Sequence, residues 1–333
     1  MITASPIGAS ERDAYWSAVL AGDDRTAYAV AAAALDRGVR LPDVLHALVT
    51  GSQGRVGDLW AANTFTVAQE HAATAVSEAV VARLAELTPA PDGPHVLVAC
   101  AEREWHALPA LVVTHTLRAS GVRAEFLGAS ASRDHLVARI LDSGPRLVLL
   151  SASVASSLPR VRRHVEAVRG TGTPVVVGGH AFGGNPVRAQ RLGATAYAAT
   201  PEDVVELLET LPHHVPAAGP LRSPAAQEAR AISSIGDQVA RDVLGAPAVA
   251  AVLGQPDGSP DHWTTVLSTF VPHVVDCVVG ALLTDDPTVV AAEREWLEDV
   301  VDRRAGDPAA VAAVWSALAV RLREFPEAAG ILS

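Results

Sequence analysis

Lysine is missing altogether, and the 26 basic residues of this 333-residue chain are all arginine. That excludes chemistry built on a lysine Schiff base. Basic residues are also outnumbered by 37 acidic ones, which gives a formal charge of −11. Binding a nucleic-acid backbone needs a concentrated basic face, so this balance argues against nucleic acid as a partner. Only two cysteines occur, Cys100 and Cys277, far apart. They make neither a disulfide framework nor a zinc site and suit a reducing compartment. No basic segment followed by an apolar stretch opens the chain, and no apolar run reads as membrane-length. A soluble, cytoplasmic protein with no membrane partner is expected. Catalytic signatures are lacking too: there is no nucleophile elbow, no phosphate loop and no carboxylate cluster on a strand end. The chain is therefore not expected to be an enzyme.

What the chain does have is apolar residues, 49% of the total, enough for a large core over two or three domains. Residues 1–90 carry helical spacing in four stretches, "SERDAYWSAVLAGDD", "RTAYAVAAAALDRG", "LPDVLHALVTGSQGRVGDLWAA" and "TVAQEHAATAVSEAVVARLAEL". They predict a four-helix bundle closed by the breaker "TPAPDGP" near residue 90. Residues 95–212 change period. Short apolar runs ("HVLVAC", "RAEFLG", "RLVLLSAS", "PVVVGG", "ATAYAA") alternate with helical stretches. That pattern predicts a Rossmann- or flavodoxin-like parallel sheet covered on both faces, with ligands beyond the carboxyl ends of its strands. His106, Ser151, Ser153, Gly178 and Gly179 all fall at those ends. Residues 213–224 read as a Pro-rich linker. Residues 225–333 read as an all-helical domain with helix starts at Ser259-Pro260, Asp286-Pro287 and Asp307-Pro308.

"EWHALP", then "SAS", then "VVVGG" resembles the cobalamin-binding domain, whose signature is Asp-x-His-x-x-Gly, then Ser-x-Leu, then Gly-Gly. The resemblance implies that His106 ligates cobalt from below, with Glu104 on its other nitrogen. Ser151, Ser153, Gly178 and Gly179 would line the slot for the nucleotide tail. An imidazole oriented by a carboxylate is a sound metal ligand, and glycines allow close backbone approach. Three positions depart from the pattern: Glu104 stands for aspartate, Ser153 for leucine and Pro109 for glycine.

In the helical segment, Trp60 is followed after nine residues by Glu70-His71. This pattern is similar to the cap of adenosylcobalamin photoreceptors, the family of the light-responsive carotenoid repressors. The resemblance implies that Trp60 packs over the upper corrin face and that Glu70 and His71 line the adenosyl pocket. Light would cleave a cobalt–carbon bond and move the cap, with self-association (a light-dependent homo-oligomer) or contact with a separate effector protein as the output. Where those repressors have a histidine after the tryptophan, this chain has Ala61. No room for their DNA-binding domain is expected before the cap.

Cap, cobalamin domain and a globin-like helical domain together resemble the photocobilins, which also bind the linear tetrapyrrole biliverdin. His262, Trp263, His273, Arg294 and Trp296 are the implied bilin contacts, and Cys277 an attachment point if it is not simply buried. Three other functions fit parts of the pattern. A corrinoid methyl carrier for a separate methyltransferase shares cap and sheet, but needs an open upper face. A mutase subunit would need a barrel segment that is absent. A haem sensor would use His273 as its proximal ligand.

Overall fold

The computed structural model describes residues 7–88, 91–254 and 259–333. The expected boundary at residues 89–90 lies outside the described residues. The first segment folds as α1 (Ala9–Leu20), α2 (Asp24–Asp36), α3 (Leu41–Val44), a π-helical stretch Leu45–Thr50, α4 (Gly51–Ala61) and α5 (Val67–Ala85). Asp23 caps α2 through the Thr26 N–H, and a Thr66–Gln69 capping box opens α5. The third expected helix is thus one run whose middle is wound more widely, a local change that apolar spacing does not encode. Tyr15, Leu45, Leu48, Val80 and Leu84 form the core of this cap.

The central domain holds β1 (His95–Cys100), β2 (Arg123–Phe126), β3 (Leu147–Ser151), β4 (Val175–Gly178) and β5 (Ala196–Tyr197). Between and after them run α6 (Ala107–Ala119), α7 (Arg133–Ser143), α8 (Leu158–Gly170), α9 (Pro186–Arg191) and α10 (Pro201–Thr210). All strand pairs are parallel, in the order β2-β1-β3-β4-β5. The order reverses between β1 and β3, which opens a crevice beyond their carboxyl ends. Alternate residues of each central strand serve opposite faces: Leu97, Ala99, Val148 and Leu150 enter one core, and Val96, Val98, Leu147 and Leu149 the other. The apolar runs are uninterrupted because both faces are buried. Register places Cys100 beside Ser151 and Ser151 beside Gly178, so three loops leave the sheet side by side.

The C-terminal region is all-helical: α11 (Pro224–Ser234), α12 (Gly236–Leu244), α13 (Pro247–Leu253), α14 (Trp263–Thr284), α15 (Thr288–Arg303), α16 (Pro308–Arg321) and α17 (Pro326–Leu332). Asp307 caps α16 as expected, and Asp286 accepts from the Thr288 N–H at the start of α15. Ser259-Pro260 does not start a helix; His262 caps α14 instead, through the Thr264 N–H. Proline suits a first turn but does not compel one when a capping side chain follows it. The 22-residue α14 is long and apolar enough to cross a membrane, contrary to the expectation of no such run. Val271, Val274, Val278 and Leu282 of that helix lie buried in a protein core, which accounts for its composition.

That core is continuous with the sheet: Leu97 and Leu150 belong to the same cluster as Val274, Val278, Val314 and Leu318. At the contact, Gly280 faces Leu158, where an added Cβ would come within 3.3 Å. The expected linker is held down along its length. Arg146 donates to the Pro212 carbonyl, Arg169 to that of Pro216 and Arg162 to that of Gly219, and Val215 is buried.

Candidate functional site

The loop from β1 to α6 builds a carboxylate–imidazole pair. His106 is the N-cap of α6, and its Nδ1 lies 2.5 Å from Glu104 Oε1. The same oxygen accepts from the His106 backbone N–H. Glu104 Oε2 faces the other way and accepts from the Ser153 N–H (2.8 Å), the Val154 N–H (3.3 Å) and the Ser157 hydroxyl (3.2 Å). The Glu104 side chain is 1% exposed and that of His106 58%. A glutamate where aspartate is usual thus reaches two loops at once, joining the end of β1 to the turn after β3. Ser153 enters this network through its backbone N–H.

Electrostatics fix this pair. Burial pushes the Glu104 carboxyl up, but the His106 ring, its charge and the N–H groups of Ser153 and His106 outweigh that and hold it below the usual range. The Glu104 hydrogen bond raises the His106 pKa against burial, with help from the charges of Glu104 and Glu70. In the neutral ring, Nδ1–H donated to Glu104 leaves the Nε2 lone pair free. Pro109 sits in the first turn of α6, where its missing N–H costs nothing.

Gly178 and Gly179 are explained by backbone packing. A Cβ on Gly178 would stand 2.8 Å from the Ala198 carbonyl oxygen, and one on Gly179, whose φ is +107°, 2.3 Å from that of Ala152. Backbone therefore approaches backbone here, a reason additional to any ligand. Ser151 ends β3 and accepts from the Ala101 N–H.

On the cap, Trp60 closes α4 while Glu70 and His71 lie in the first turns of α5. His71 Nδ1 is 2.8 Å from the Val67 carbonyl and 2.7 Å from Glu70 Oε2, with its side chain 73% exposed. Glu70 also accepts from the Thr74 hydroxyl. The Trp60 ring stacks on Trp296 at 5.9 Å and meets Phe270 at 6.4 Å. The structure thus ties Trp60 to the C-terminal helices.

The expected bilin contacts occupy three places. His273 and Trp296 each contact Phe270, and His273 Nδ1 bonds the Ser156 hydroxyl at 2.9 Å. His262 and Trp263 lie at the start of α14, with Trp263 against Gly306. Arg294 pairs with Glu298 and faces Trp315. Burial lowers the His273 pKa and favours a neutral ring. Cys277 is fully buried, and burial together with nearby Glu293 and Asp276 pushes its thiol well up, so it is a poor nucleophile. Phe270, Ser156, Ser157, Asp261 and Arg304 carry contacts that no local motif marks.

Among the described residues no group of three His, Cys, Asp or Glu side chains could hold a metal ion. His106, with Nδ1 anchored on Glu104, is the residue that would hold a metal-bearing cofactor here, through Nε2.

A family model described as a B12 binding domain matches residues 94–209, and a second of that description matches residues 11–85. Together they support a cobalamin-binding unit made of cap and sheet. The HTH-type transcriptional repressor CarH of Myxococcus xanthus is 30% identical over 149 residues, covering 43% of this chain and 48% of the repressor. The chain thus spans about half the length of the curated relative that it matches. The monomethylamine corrinoid protein of Methanosarcina barkeri superposes with a TM-score of 0.51 at 20% identity, covering 61% of this chain and 97% of that one. This second likeness is one of fold.

Proposed function

We propose that this chain is a light sensor that binds adenosylcobalamin between its cap and its sheet domain. The observation that carries the reading is the Glu104–His106 pair in the loop after β1, at the start of a helix whose Leu108 is buried in the core of the cap. When bound, the cofactor would supply a cobalt–carbon bond that visible light cleaves. The residues of the chain hold and confine it. His106 would give Nε2 to the metal from below, with Glu104 fixing the ring. Ser151, Ser153, Gly178 and Gly179 would flank the nucleotide tail, and Trp60, Glu70 and His71 the upper group. With Ala61 after the tryptophan, no imidazole at that position can take the upper place once it is vacated. The proposed output is a change of cap packing or self-association rather than catalysis.

Biliverdin is proposed as a second chromophore of the C-terminal helices, with His262, Trp263, His273, Arg294 and Trp296 as its candidate contacts. Its support is the order of the three regions. A methyl-carrier role is favoured by the fold likeness to a corrinoid protein. Trp60 and Glu70-His71 on the cap favour the sensor, because a carrier needs its upper face open to a methyltransferase.

The test is an absorption spectrum of the protein reconstituted with adenosylcobalamin, with and without biliverdin, before and after green light. A light-induced change in the cobalamin bands is expected, and its absence overturns the sensor reading. His106→Ala is expected to shift the dark cobalamin spectrum to a form without histidine ligation.

A further inference from the structure

The corner between α4 and α5 carries Trp60 at one end and Glu70-His71 at the other, and it is held from the far end of the chain. Arg304, 243 residues beyond, donates from Nη1 to the Ala61 carbonyl (3.1 Å) and from Nη2 to that of Trp60 (2.8 Å). These are the last carbonyls of α4, where helical dipoles leave negative charge. The Arg304 guanidinium also lies 4.7 Å from the Trp60 ring centroid. Across the corner, Asp261 Oδ1 accepts from the Val67 N–H at 2.8 Å, the first residue of α5. A cation thus caps the end of one helix and an anion the start of the next, both supplied by the C-terminal region.

Arg304 is only 7% exposed, forms no ion pair among the described residues, and leaves Nε buried without a partner. Such an arginine is costly to bury, so its contacts to α4 are tightly specified. The same helices touch the lower site. Trp60 packs on Phe270, Phe270 lies 5.2 Å from His273, and His273 bonds Ser156, next to the Ser157 that donates to Glu104.

We infer that Arg304 and Asp261, with Phe270 and Trp296, are positioning residues that set the distance between the upper corner and the His106 loop. The C-terminal region thereby adjusts the space for the upper ligand of a cobalamin. This rests on the proposed cobalamin site.

The test compares adenosylcobalamin with hydroxocobalamin, which lacks the bulky upper group, by titration of the full chain and of Arg304→Gln, Asp261→Asn and Trp296→Leu. Hydroxocobalamin binding should change by less than about threefold, while adenosylcobalamin affinity falls about tenfold, equivalent to 1.4 kcal/mol. Arg304→Lys, which keeps the charge, should recover part of the loss. Equal changes for both cobalamins, or no change for either, overturn the inference. Failure of the unaltered chain to bind either cobalamin sinks the cobalamin reading itself.

Discussion

The lower and upper walls of the proposed cobalamin site are built in opposite ways. Below, Glu104 and His106 meet across two residues, and the second partner loop lies on the adjacent strand. Above, Trp60, Glu70 and His71 sit on a corner whose restraints come from about 200 or more residues further along. A wall made locally is rigid with the sheet. A wall made remotely depends on how a separate group of helices packs.

The largest break in that contrast comes from the lower wall. Glu104→Ala removes the acceptor for three backbone N–H groups and a buried hydroxyl, and should destabilise the protein by about 3–5 kcal/mol. Urea unfolding of the variant checks it; a loss under 1 kcal/mol would mean that the two loops do not need the carboxylate. In the upper wall, Thr66→Ala removes only the local capping box of α5 and should cost about 1 kcal/mol. A larger loss there would show that the corner depends on its own cap more than on Asp261.

The smallest effect at neutral pH concerns α6, the helix that begins at His106 and lends Leu108 to the cap core. Burial, helped by Arg118, lowers the His115 pKa to about 4 from 6.5. The unfolded chain then binds the proton first, so stability falls as pH drops from about 6.5 towards 4. His115→Gln should flatten this part of the stability–pH curve, and an unchanged slope would assign the acid sensitivity to other groups.

The lower wall was readable because its parts are close in sequence and regular in period. The uninterrupted apolar runs announced a sheet buried on both faces, and that placed His106, Ser151 and Gly178 on neighbouring strand ends. The upper wall was readable only as far as its own helices. Trp60 suggested a ligand-facing ring, yet nothing near it announces Trp296, Phe270 or Arg304 as neighbours. In sequence, Arg304 is one of two adjacent arginines at a helix end, a pattern that ordinarily means solvent. The glycines had a visible role but a hidden reason, since the carbonyls of Ala152 and Ala198 that exclude a side chain come from other loops. Ser259-Pro260 looked like a helix start and was not, because capping by His262 four residues before Val266 sets the true one.

The strand of chain between the sheet and the C-terminal helices has one more consequence. Its carbonyls at Pro212, Pro216 and Gly219 are each gripped by an arginine from the sheet domain, and Val215 is sunk beneath them. A tether fastened at such close intervals cannot serve as a hinge, so the sheet and the C-terminal helices form one platform. In the proposed sensor the cap would be the part left to move, and the α4–α5 corner, held by Trp296 and Arg304, is where its displacement would be felt.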